Sequence, residues 1–187
     1  MRTCVFAALI LCCCISVADE ERPNVPIVAS GGDGTCYAKA VPVDVSGGKG
    51  ATTIYNVKRG DDERAETYNW YAPGLHLLCN VWRHGRSQTT VARMGRWARG
   101  SEANDKDLAV AFYANGKLLN SYSTLDIAGT PDNVGASFSH YQVFGSVEGF
   151  QWTDSSKLEF RATRIDGTTV RFDPETGAIL GKMDGAP

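Results

Sequence analysis

Short runs of β-prone residues, broken every few positions by residues that turn the chain back, constrain this sequence more than any other feature in it. AVAFY and KLLNSY flank Asn115-Gly116, and EFRATRI and TTVRF flank Asp166-Gly167; both dipeptides supply the positive φ that two-residue hairpin loops require. Pro174-Glu175-Thr176-Gly177 adds a turn with Pro at its start and Gly where the chain must go left-handed. No segment holds a helical period, so the spacing predicts an all-β fold of antiparallel strands rather than βαβ units.

The predicted strands are Thr35–Val41, Thr52–Lys58, Ala65–Tyr71, Leu75–Trp82, Gln88–Met94, Leu108–Tyr113, Lys117–Tyr122, Val143–Trp152, Lys157–Arg164, Thr168–Asp173 and Ala178–Lys182. The last four form a meander, and the whole is expected to make a sandwich or a curved, barrel-like sheet. FDPETGAIL resembles a propeller-repeat phrase, which keeps propeller-like partial blades as an alternative; no blade-length period recurs along the chain. Ser123–His140, rich in Gly, Pro, Asp and Asn, is expected to hold one helical turn near Thr124-Leu125-Asp126 and otherwise to cross an end of the sheet. A loop of that length often carries function.

The N-terminus has the three parts of a secretory signal: Arg2, an apolar run from Cys4 to Val17, and small residues at Ser16 and Ala18. Cleavage is expected near Ala18, giving a secreted or periplasmic protein. The apolar run is too short to span a bilayer, which needs about 20 residues, and Asp19, Glu20, Glu21 and Arg22 follow it directly. Cys12, Cys13 and Cys14 would suit lipidation only with a small residue ahead of the modified thiol, where Leu11 or another Cys stands. Residues 19–34 then read as a flexible lead-in, 35–184 as a single β-rich domain and 185–187 as a tail.

Cleavage takes Arg2 from the 19 basic residues and none of the 21 acidic ones, moving the formal net charge from −2 to −3. So balanced a surface argues against a nucleic-acid binder, while leaving room for a local basic patch. Four of the six cysteines leave with the signal. Cys36 and Cys79 remain and are expected to pair in an oxidising compartment, the alternative being two separately buried thiols.

The segments RWARG, DLAVAFYANGKLLNSYSTLDI, SFSHY and DGTTVRFDPETGAIL resemble a group of uncharacterised exported bacterial β-rich proteins, in which a Trp-Arg-Gly segment precedes an AFYxxGKLL hairpin. The resemblance covers about the last 110 residues. It implies export and a β-rich fold, and carries no functional residues because the group has no known activity.

Chemistry-bearing motifs are sparse. His76, His84 and His140 lack the short spacings of a metal site, and no metal or other cofactor is expected. Ser139 and His140, if extended, would point to opposite faces and could not act together. Asn104, Asp105 and Asp107, near Glu102, offer oxygen ligands without the Gly and terminal Glu of a calcium loop, and read as solvated acids. Arg59-Gly60-Asp61 spells an adhesion tripeptide, but these residues also suit a hairpin tip.

The most informative feature is charge. Arg83, Arg86, Arg93, Arg96 and Arg99 fall between Val81 and Gly100 with no acid among them, and Trp97 stands in the run as a stacking face. Tyr68 and Trp70 share one strand face and Tyr71 the other, so at least one aromatic is expected at the surface. These residues predict a noncatalytic exported domain that binds an acidic glycan, an envelope phosphate or another protein. The bland reading of the same residues is arginines carried outward on strands beside core aromatics. A secreted hydrolase drawing Glu66, Asp107 and Glu148 from separate strands is the alternative.

Overall fold

In a computed structural model the chain is described over residues 23–83, 86–153 and 157–183. The expected signal segment, His84 and the expected tail lie outside the described residues. The first sheet is a meander of β1 (Ile27–Ser30), β2 (Cys36–Pro42), β3 (Gly50–Asn56) and β4 (Glu63–Tyr68). Next come β5 (Leu75–Arg83), β6 (Arg86–Met94), the short β7 (Ala98–Arg99), β8 (Leu108–Ala114) and β9 (Lys117–Ser123). Of these, β5, β6, β8 and β9 make the second sheet. Helix α1 (Thr124–Ala128) follows, then β10 (Gly135–Ala136) and β11 (His140–Gln142), which join β7 in a small third sheet in the order β10-β11-β7. The fourth sheet is the C-terminal meander of β12 (Phe144–Trp152), β13 (Leu158–Arg164), β14 (Thr169–Phe172) and β15 (Ile179–Met183).

The second sheet is the middle layer, and its alternation shows why. Val91 on β6 and Leu77 and Cys79 on β5 pack with Cys36, Ala38, Ile54 and Trp70 of the first sheet and its C-terminal flank. Ala92, Met94, Val110 and Phe112 point the other way, into a core shared with Phe160, Ala162, Val170 and Phe172 of the fourth sheet. Because side chains alternate with period two, a strand buried on both faces reads as a continuous apolar run, as Ala109-Val110-Ala111-Phe112 does. Phe160 has ring centroids of Phe112, Phe150 and Phe172 at 5.2, 5.1 and 6.1 Å, so one side chain ties the two layers together.

The architecture is all-β and antiparallel, a layered sandwich with no closed barrel. Each four-stranded meander has the form of a propeller blade, and β5 lies beside both β1 and β12. Three such sheets among the described residues fall short of the four or more that close a propeller. Cys36 on β2 and Cys79 on β5 form a disulfide between the first two layers, with Cα atoms 6.1 Å apart. No helix among the described residues is long and apolar enough to cross a membrane.

Several sequence expectations need correction. Part of the lead-in is structured: Asn24 N–H donates to Val45 O, and β1 pairs with β2. IVAS is too short to register as a strand until a partner edge is present. Ser123–His140 holds β10 and the start of β11 in addition to the expected helical turn, which becomes α1 with Ser123 and Asp126 forming a capping box. Asn115 and Gly116 turn at φ 46° and 80° as expected. At the other dipeptide only Gly167 is left-handed; Asp166 instead accepts from Thr168 N–H and pairs with Arg164. Tyr68, Trp70 and Tyr71 are all buried, since the first two stack on each other and Tyr71 reaches back to donate to Val25 O.

Candidate functional site

Where β6 leaves the second sheet, Gly95 N–H donates to Ala109 O at 2.8 Å. A Cβ at this position would lie 1.6 Å from the Leu108 carbonyl oxygen, so only glycine lets the two backbones cross this closely. The chain then runs through Arg96 and Trp97 into β7, whose Ala98 and Arg99 pair with Tyr141 and His140. The result is an open cleft of about 530 Å³ lined by Arg93, Arg96, Trp97, Arg99, Lys106 and Asp107, with Ser46-Gly47 of the β2–β3 loop on the opposite wall.

Arg93 is the best-defined of these cations. Its guanidinium lies 4.7 Å over the ring of Trp70, and Trp70 is fixed in turn by Tyr68 and Tyr113 at 4.8 and 5.3 Å. Stacking restrains the fork without using any of its five N–H donors. Among the described residues Arg93 makes no hydrogen bond or ion pair, and its Nε is buried without an acceptor. A buried donor left unmade costs on the order of 1–3 kcal/mol, so the geometry favours an acceptor arriving from outside.

Asp107, the one acid among the described residues that line the cleft, does not supply that acceptor. Asp107 Oδ2 takes hydrogen bonds from Asn104 Nδ2 at 2.7 Å and from the Tyr141 hydroxyl at 2.8 Å. Tyr141 also meets Thr124 Oγ1 at 3.0 Å, and its phenol is pushed up by burial and by the Asp107 carboxylate, so it remains a donor. Asn104 Oδ1 accepts from the backbone of Lys106 and Asp107. The solvated-acid reading of this segment therefore needs correction at Asp107, which lines the cleft and is held there by Asn104 and Tyr141. No cluster of three or more His, Cys, Asp or Glu suited to a metal occurs among the described residues.

Trp97 is 45 % exposed at the rim, with its indole N–H donating to Gln142 Oε1 at 3.0 Å and one face stacked on His140 at 5.8 Å. Ser139 Oγ and His140 Nδ1 lie 2.8 Å apart, against the expectation that they would diverge. The reason is that Ser139 belongs to the turn of the β10–β11 hairpin and is not extended.

The arginine run is not one patch. Arg83 and Arg86 pair with each other at the turn end of the β5–β6 hairpin, whereas Leu75 pairs with Arg93 at its other end. At about 3.4 Å per residue, the seven steps from Arg86 to Arg93 separate the two groups by roughly 24 Å. Arg93, Arg96 and Arg99 are brought together; Arg83 and Arg86 are not with them. Of the three candidate acids, Glu66 accepts from Tyr68 on the first sheet, Asp107 lines the cleft, and Glu148 accepts from Thr163 on the fourth sheet. They do not converge on one cleft. Lys106 and the Ser46-Gly47 wall were not indicated by the sequence pattern, because both reach the cleft only through packing between sheets. No family model matches this chain, and no curated protein matches it.

Proposed function

We propose that the protein is an exported, noncatalytic β domain that binds an anionic group, carboxylate, sulfate or phosphate, of an envelope or extracellular component such as an acidic glycan. The single observation carrying this reading is Arg93, held over Trp70 with its donors uncommitted in a cleft that also holds Arg96, Arg99 and Lys106. An arriving carboxylate or phosphate gains charge-assisted, two-pronged hydrogen bonds there, and Trp97 at the rim offers its free indole face to a ring attached to the anion. Export is supported by the apolar N-terminal run and by the Cys36–Cys79 disulfide, which persists in oxidising compartments. The resemblance to exported bacterial β-rich proteins belongs to the same proposal.

The test is retention on an immobilised sulfated polysaccharide at low and high salt. The wild type is retained at low salt and released as salt rises. Arg93→Ala/Arg96→Ala/Arg99→Ala, folded by circular dichroism, elutes with the void. Unchanged retention of the triple variant would reject the cleft as the anion site.

A further inference from the structure

A second cleft, of about 650 Å³, opens where β1, β5 and β12 come together, and its chemistry is the reverse of the first. No Lys or Arg is among the described residues that line it. Its walls include Leu78, Phe150 and Trp152, with Asp33, His76 and Asn80 among the polar groups. Trp152 is 62 % exposed, a large indole left out of the core beside a concave surface.

The polar groups are held in place and only partly used. Asp33 Oδ1 accepts from Thr35 N–H and Oγ1 at 3.0 and 2.9 Å, while Oδ2 makes no hydrogen bond among the described residues. Asn80 Nδ2 donates to Thr35 Oγ1 at 3.1 Å, so one threonine braces both side chains. The His76 ring stands edge-on to Phe160 at 5.4 Å, and neither of its nitrogens has a hydrogen-bond partner among the described residues. Against it lies a bulge of β12 at Gly149, φ 77°, where a Cβ would fall 2.8 Å from His76 Nδ1. Bulges of this kind re-aim strands beside binding sites, and glycine here brings the backbone up to the imidazole. Burial keeps that imidazole neutral, with one N–H and one lone pair on offer.

Each ligand class meets this lining differently. An anion is repelled by Asp33 and Glu148, the charged groups among the described residues that line the cleft. A purely apolar ligand would strip water from Asp33 and His76 without replacing its hydrogen bonds. An ammonium ion would use the carboxylates and the indole but leave the imidazole N–H without an acceptor. A ring with one apolar face and a rim of hydroxyls satisfies all of them: its face lies on Trp152, and its hydroxyls donate to Asp33 and both donate to and accept from His76. We infer that this cleft binds a neutral saccharide unit, stacked on Trp152 and hydrogen-bonded by Asp33 and His76.

The test is native gel electrophoresis of the whole domain through gels containing hydroxyethylcellulose, a neutral arabinoxylan, galactomannan or soluble starch. Migration is expected to slow in at least one of them, unchanged by salt and unchanged in Arg93→Ala. Trp152→Ala is expected to weaken that binding about tenfold or more, a loss of about 1.4 kcal/mol or more. Trp152→Phe, which keeps a ring, retains part of it and guards against a folding artefact. Unretarded migration in all four gels, retardation that survives Trp152→Ala, or displacement by tetramethylammonium would each overturn the inference. Because the probes are uncharged, failure here leaves the anion cleft untouched.

Discussion

Replacing Cys36 and Cys79 together with alanine tests how the first two layers are held. The bridge closes a loop with a sequence separation of 43 that contains β3, β4 and Trp70. Loop-closure entropy for about 44 residues amounts to about 4 kcal/mol at 25 °C. Both cysteines are almost fully buried between Ala38, Ile54 and Leu77, so the lost sulfur packing adds to this figure. For a domain of this size about 1 kcal/mol moves Tm by about 2–4 °C, which puts the expected drop at about 8–16 °C. Differential scanning calorimetry of the oxidised wild type and of Cys36→Ala/Cys79→Ala measures it directly. Each single variant should fall about as far as the double, since either one breaks the same bridge. A drop below about 3 °C would refute the reasoning and show that packing alone joins the layers. The loop also contains the Ser46-Gly47 wall, so anion retention should be lost at the lower Tm in step with unfolding.

Two further outcomes follow from the crossing at Gly95 and the burial of His76. Gly95→Ala drives a methyl group into the Leu108 carbonyl and should cost about 1–3 kcal/mol or more, read as a lower midpoint in urea; an unchanged midpoint would mean that the β6–β8 crossing relaxes freely. His76 has its folded pKa held below the ordinary 6.5 by burial, so below that pH the unfolded chain binds the proton more readily and stability declines as pH falls from about 6.5 toward the folded value. His76→Gln should reduce the difference in Tm between pH 7.5 and 5.5, and an identical difference in the variant would refute this.

Local signals determined the class of fold in this sequence. Asn115-Gly116 and Pro174–Gly177 turn the chain whatever surrounds them, and β-branched and aromatic runs between turns have no helical alternative, so all-β and antiparallel were legible from neighbours in sequence. Cys36 and Cys79 were legible as partners because only two cysteines remain beyond the apolar N-terminal run. The flexible reading of the lead-in failed at Ile27–Ser30, because IVAS becomes β1 only when β2 offers an edge to pair with.

The sites depended on distance across the fold, which a linear pattern does not contain. Five arginines in one stretch looked like one patch, but β6 is extended, and its length separates Arg83 and Arg86 from Arg93, Arg96 and Arg99. Tyr68 and Trp70 had an obvious strand periodicity, yet whether they faced water or the second sheet was decided by β5 and β8 packing over them. That packing also set Trp70 under Arg93, a contact between residues that no local rule connects. Asp107 drew its role from Tyr141, which arrives from another sheet. Short-range turn chemistry and hydrophobic alternation act through a few residues and are written in sequence, whereas the match of charge to ring, and of donor to acceptor, arises only when separate sheets are brought face to face.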